Sequence, residues 1–101
     1  MTNDRVLDIQ NELRRLANKQ IAAHSQRFFK TGEGRYGQGD RFLGIRFPVL
    51  RKLARQYRGA TIKEACQLLK SEFHEERLLA LLLLVDMFKK ANETLKRKKN
   101  S

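Results

Sequence analysis

His74-Glu-Glu-Arg-Leu-Leu-Ala-Leu-Leu-Leu-Leu-Val-Asp-Met-Phe-Lys-Lys90 is the stretch on which the fold turns. Of the eight residues Leu78 to Val85, seven are Leu or Val and the eighth is Ala80. Leu and Ala are strong helix formers, and no Gly or Pro interrupts the run. Eight consecutive apolar residues cover every side of a helix, and a helix apolar all round must be buried on most sides. The run is too short to span a membrane, which takes about 20 apolar residues. The rest of a 101-residue chain must therefore wrap it. The spacing predicts this helix over about 73–91, preceded by Ser71.

Moving outward, Thr61-Ile-Lys-Glu64 is a capping box, in which the Thr side chain takes the Glu64 N–H and the carboxylate reaches back. It predicts a helix over about 62–70 with Ile62, Ala65, Cys66 and Leu69 inward. Pro48 suits a first helical turn and Gly59 a helix end, so a helix over about 48–58 is expected. Its apolar face holds Val49, Leu50, Leu53, Ala54 and Tyr57. Near the start, Val6, Ile9, Leu13 and Leu16 share one face of a helix over about 4–17, which Asn18 ends. A shorter helix over about 19–28 follows, with Ile21, Ala22, Phe28 and Phe29 as its apolar set. The expectation is all-α: five helices, no strand, and a frayed basic tail, Lys96-Arg-Lys-Lys-Asn-Ser101, after a folded region over 1–95. Helix pairs of about 40 residues are the unit of helical solenoids, and the last two helices fit such stacking.

Between the second and third helices the composition changes. Thr31 to Gly44 holds five of the six glycines, a density no helix survives. Loops of about this length without structure of their own tend to be functional or disordered. Gly32-Glu-Gly-Arg-Tyr-Gly37 satisfies G-x-G-x-x-G, but a dinucleotide site needs a strand before it and a helix opening at it. Neither is present, and no Gly-Lys-Ser/Thr closes it as a P-loop. Two readings stand, a packed structural loop and a phosphate-contacting one. The second accounts for Lys30, Arg35, Tyr36, Arg41, Phe42 and Arg46 interleaved with the glycines, since backbone N–H groups approach an anion closely there.

The charge balance points the same way. Twenty-two Lys and Arg against 11 Asp and Glu give a net charge of +11, which favours polyanions. On the 48–58 helix, Arg51, Arg55 and Arg58 lie at i, i+4 and i+7, opposite the apolar face, with Lys52 beside them. A charged stripe is often only a solvated side. No acid inside the helix neutralises this one, so it suits a phosphate backbone, where cations displace condensed counterions.

Other chemistry is poorly supported. The single cysteine, Cys66, excludes a disulfide framework and a thiolate zinc site, and reads as a buried small hydrophobe. His74-Glu-Glu-Arg-Leu78 begins like H-E-x-x-H but has Leu for the second ligand. His74, Glu75 and Glu76 read as first-turn residues, and no metal is expected. Asp86 interrupts the apolar helix; an edge carboxylate paired with a Lys or Arg is the ordinary reading, a catalytic group the sharper one. The first twenty residues lack the apolar core of a signal peptide, which predicts a cytoplasmic protein. Membrane-surface binding would need a free, wide apolar face, and the 4–17 helix is a poor candidate.

The stretch Phe28-Phe-Lys-Thr-Gly-Glu-Gly-Arg-Tyr-Gly-Gln-Gly-Asp-Arg-Phe-Leu-Gly-Ile-Arg-Phe-Pro-Val-Leu-Arg-Lys-Leu-Ala54 closely resembles the start of the DNA alkylation repair (AlkD-like) family. His74-Glu-Glu-Arg-Leu-Leu-Ala-Leu-Leu-Leu-Leu-Val85 is similar to that family's next repeat. The resemblance covers nearly the whole chain and is specific. It implies an all-helical solenoid of HEAT-like repeats whose concave basic surface holds duplex DNA. It further implies a glycosylase that removes N3- and N7-alkylated purines with no metal or cofactor. The family's catalytic Asp and lesion-bordering tryptophans lie in helices beyond the matched stretch, and this chain has no Trp. The expectation is a truncated solenoid with no catalytic residue of its own.

The candidate DNA-binding residues are Lys30, Arg35, Tyr36, Arg41, Arg46, Arg51, Lys52, Arg55 and Arg58. The expected partner is the phosphate backbone of duplex DNA. The alternative is a non-enzymatic helical scaffold that binds nucleic acid or protein. Without a C-terminal neighbour, the last helix is expected to expose an apolar patch near Leu79 to Phe88 and to self-associate.

Overall fold

The computed structural model describes residues 4–28 and 41–100. Five α-helices follow one another: α1 (Asp4–Leu16), α2 (Lys19–Phe28), α3 (Phe47–Gln56), α4 (Ile62–Leu69) and α5 (His74–Asn100). No strand forms among the described residues; one isolated bridge joins Arg41 to Phe73. The chain is all-helical, as the periodicity predicts.

α5 is the centre of the packing, with α4 and α3 against it and α1 against α4. Ile9, Leu13, Leu50, Leu68, Leu79 and Leu83 are all but inaccessible to solvent. With Ala65 and Ala80 they form one core. The capping box is complete: Glu64 donates its N–H to Thr61 Oγ1 at 3.1 Å, and Thr61 donates its N–H to Glu64 Oε1 at 2.8 Å. Pro48 sits in the first turn of α3. Asn18 stands between α1 and α2, where its Oδ1 accepts the N–H groups of Gln20 and Ile21, each at 3.0 Å.

Several expectations are corrected. Cys66 and Ile62 are exposed, Ile62 at 63%, because α4 turns the stripe Ala65–Leu68 inward. Cys66 follows Ala65 by one residue, about 100° round the helix. Val49 is likewise 37% exposed, and the buried face of α3 narrows to Leu50 and Leu53. α5 does not end near residue 91. It continues to Asn100 through the segment expected to be a frayed tail. That extension contains no Gly or Pro, and cations at a helix C-terminus complement its dipole. The helix is also not buried all round: Leu81, Val85 and Phe88 are 49%, 51% and 74% exposed. The open side is thus narrower than a patch from Leu79 onward, since Leu79, Ala80 and Leu83 are covered. The side chains of Phe28 and Phe29 lie outside the described residues.

The end of the glycine-rich segment is fixed by a contact that local patterning does not show. Glu75, only 3% exposed, accepts three backbone N–H groups. Leu43 donates to Oε1 at 2.8 Å; Gly44 and Ile45 donate to Oε2 at 2.9 and 3.2 Å. A buried carboxylate needs such partners, and three N–H donors supply them. Two further backbone bonds complete the tie. Asn18 donates its N–H to the Leu43 carbonyl and His74 donates to the Arg41 carbonyl, both at 2.8 Å.

Candidate nucleic-acid interface

α3 ends at Gln56, two residues short of the expected helix, so Arg51 and Arg55 stand on α3 and Arg58 in the turn after it, all facing the middle of α5. Between the two helices runs a groove of about 160 Å³, lined by Arg51, Arg55, Arg58 and Lys89 over an apolar floor of Ala54, Leu82 and Val85. The one acid in the groove is Asp86, whose Oδ2 lies 3.5 Å from Arg58 Nε. Both side chains are about half exposed, so this pair contributes on the order of 0–1 kcal/mol. Asp86 is thus an edge carboxylate paired with an arginine. Arg51 lies over the Phe47 ring, 5.9 Å from its centroid, an interaction that leaves its charge intact. Arg55 and Lys89 make no ion pair among the described residues. The groove therefore holds four cations against one acid, three of them uncompensated.

The remaining candidates divide. Arg46 stands at the other end of α3, immediately before its first turn. There it lines a larger cleft, about 760 Å³, between α2 and the α3–α5 pair. Lys52 is exposed but does not line the groove. Arg41 is exposed and sits 3.8 Å from Glu72. Lys30, Arg35 and Tyr36 lie outside the described residues. Lys89 was not among the sequence candidates. Its signal was its place three residues after Asp86 and seven after Leu82, on the α5 face that meets α3.

Two acids singled out in the His74–Glu76 motif are first-turn residues, as the sequence suggests, yet both are buried. Glu76 accepts a hydrogen bond from Gln10 Nε2 at 3.1 Å, while its Oε2 has no hydrogen-bond partner among the described residues. It lines neither the groove nor the cleft. Among the described residues no group of three or more His, Cys, Asp or Glu is placed to hold a metal ion. Nor is any described helix long and apolar enough to cross a membrane.

An all-helical chain with this glycine-rich segment and leucine-rich helix defines a class. The sequence profile of the family described as DNA alkylation repair enzyme matches residues 9–100. The chain belongs to the DNA alkylation repair family. No curated protein and no solved structure matches it.

Proposed function

We propose that this chain grips duplex DNA by its phosphate backbone along the α3–α5 groove. It would serve as the DNA-holding part of an alkylpurine DNA glycosylase built of HEAT-like helix pairs. The observation that carries this reading is the groove itself: Arg51, Arg55, Arg58 and Lys89 face one acid, Asp86, already engaged by Arg58. Exposed guanidinium and ammonium groups beside an apolar floor suit a phosphate strand, and such contacts position a protein without reading sequence. Membership of a DNA repair family supports DNA over other polyanions. A cytoplasmic location accords with this role.

Base excision is not assigned to these residues. The groove's carboxylate is held by an arginine, and the sequence has no Trp to border a lesion. Incubation of the chain with duplex DNA containing 7-methylguanine is expected to release no base. Duplex binding is expected to weaken when Arg51→Ala and Arg55→Ala are combined. A chain that excises the base, or a double variant that binds as well as the parent, contradicts the assignment.

A second reading has its own observation. Leu81, Phe88 and Leu95 form an exposed apolar series along α5, which suits a protein-binding scaffold or self-association. Duplex binding independent of the groove arginines, or absent altogether, would favour it.

A further inference from the structure

The larger cleft has a different character from the groove. Its volume, about 760 Å³, falls within the range of roughly 300–1,000 Å³ typical of small-molecule sites. Its wall is aromatic and apolar, with Phe42, Phe47 and Ile45 prominent. Phe42 and His74 lie against each other there, ring centroids 4.9 Å apart and planes tilted by 38°. Phe47 is 45% exposed; Arg51 lies over its ring, and the part Arg51 leaves uncovered is presented to solvent at the rim of the cleft. Beside it stands Arg46, exposed and without an ion pair among the described residues. Both histidines of the chain, His24 and His74, line the same space although 50 residues separate them. The one acid in the lining is Glu75, and its carboxylate is taken up by three backbone N–H groups.

An occupant must therefore match an exposed aromatic ring and a guanidinium that makes no ion pair among the described residues. A flat ring carrying an anionic group meets both demands. Rings stack on Phe and His, and Arg binds phosphate oxygens as a planar fork. We propose that the cleft binds a single unstacked nucleotide, with the base against Phe47 and Phe42 and the phosphate at Arg46. The inference deepens the DNA reading by assigning an unpaired nucleotide a place apart from the duplex groove. It rests on the DNA reading but not on the groove being the duplex site.

The test is a titration of the whole chain with 2-aminopurine deoxyribonucleoside 5′-monophosphate, followed by the fluorescence that stacking quenches. Saturable quenching is expected. Phe47→Ala and, separately, Arg46→Gln should each weaken it at least tenfold, with unchanged helical circular dichroism. Both side chains are exposed, so both variants are expected to fold. Arg55→Ala combined with Lys89→Ala removes two cations from the groove and should leave the titration unchanged. No saturable quenching by the parent chain overturns the proposal. So does quenching that survives both cleft variants, or that is lost with the groove variant. Duplex affinity measured on the same proteins reports separately on the groove.

Discussion

Gly44 donates its backbone N–H to Glu75 Oε2 at 2.9 Å, joining the end of the glycine-rich segment to the first turn of α5 across 31 residues. Gly44 has φ +86°, and a Cβ there would lie 1.9 Å from the Asn18 carbonyl oxygen and 2.8 Å from the Ala22 nitrogen. Both obstacles are backbone, so neither can swing aside. Gly44→Ala is expected to destabilise the fold by more than about 3 kcal/mol. The left-handed conformation alone costs roughly 1–2 kcal/mol for an L-residue, and the overlap adds to it. Urea unfolding followed by circular dichroism measures this; a loss under about 1 kcal/mol would contradict the close approach of Gly44 to α2.

Glu75→Ala leaves three buried donors without their acceptor. Each unsatisfied group costs about 1–3 kcal/mol, so the variant is expected to lose at least about 3 kcal/mol. Glu75→Gln keeps one oxygen and should lose less. Equal losses in the two variants would show that the carboxylate's second oxygen is not used.

The capping box carries a pH dependence. The Thr61 backbone N–H bonded to Glu64 lowers that carboxyl from its ordinary value; burial opposes this, and the Thr61 hydroxyl and Arg5 add to the lowering. The folded state thus binds this proton more weakly than the unfolded chain. The stabilisation is present in full above the unfolded value, about 4.3, and is lost as pH falls through the lowered folded value. Between about pH 6 and pH 3, the parent is expected to lose more stability than Glu64→Gln. Identical pH profiles would contradict this role. Thr61→Ala, which removes the other half of the box, should cost about 1 kcal/mol at neutral pH.

α5 allows a paired comparison. Leu83 is 1% exposed and Leu81 49%, two positions apart on one helix. Leu83→Ala is expected to cost about 2–5 kcal/mol and Leu81→Ala under about 1 kcal/mol. Chemical denaturation decides it, and similar losses would mean that the buried face of α5 is wrongly assigned. The exposed side has its own consequence. The chain is expected to self-associate through Leu81 and Phe88, so Leu81→Gln combined with Phe88→Gln should give a monomer by sedimentation. A parent chain monomeric at all concentrations would contradict it.

Local signals in the sequence suffice where one helical turn decides the outcome. Pro48 places the start of α3, and Thr61 with Glu64 places that of α4. Asp86 finds the arginine partner that an edge carboxylate needs. What escaped depends on distant partners. Glu75 looks like a first-turn acid satisfied by the helix dipole, and only the folded chain shows that its carboxylate holds residues 43–45. Ile62 and Cys66 carry apolar side chains at helical spacing, but an eight-residue helix with neighbours along one stripe buries only that stripe. His24 and His74 share a cleft that no spacing rule could reveal. The groove was half legible: Arg51, Arg55 and Arg58 stand out by their i, i+4, i+7 spacing, although α3 ends at Gln56 and Arg58 lies in the turn after it, while Lys89 becomes their neighbour only through packing.

Duplex affinity as a function of salt concentration, compared between the parent chain and the variant carrying Arg51→Ala and Arg55→Ala, tests the central claim most directly. Each phosphate contact contributes about 0.9 to the slope of log affinity against log salt. If both arginines lie on phosphates, the slope of the variant should be shallower by about two, with affinity lost evenly across DNA sequences. An unchanged slope and affinity would show that the α3–α5 groove is only a solvated surface and that DNA is held elsewhere.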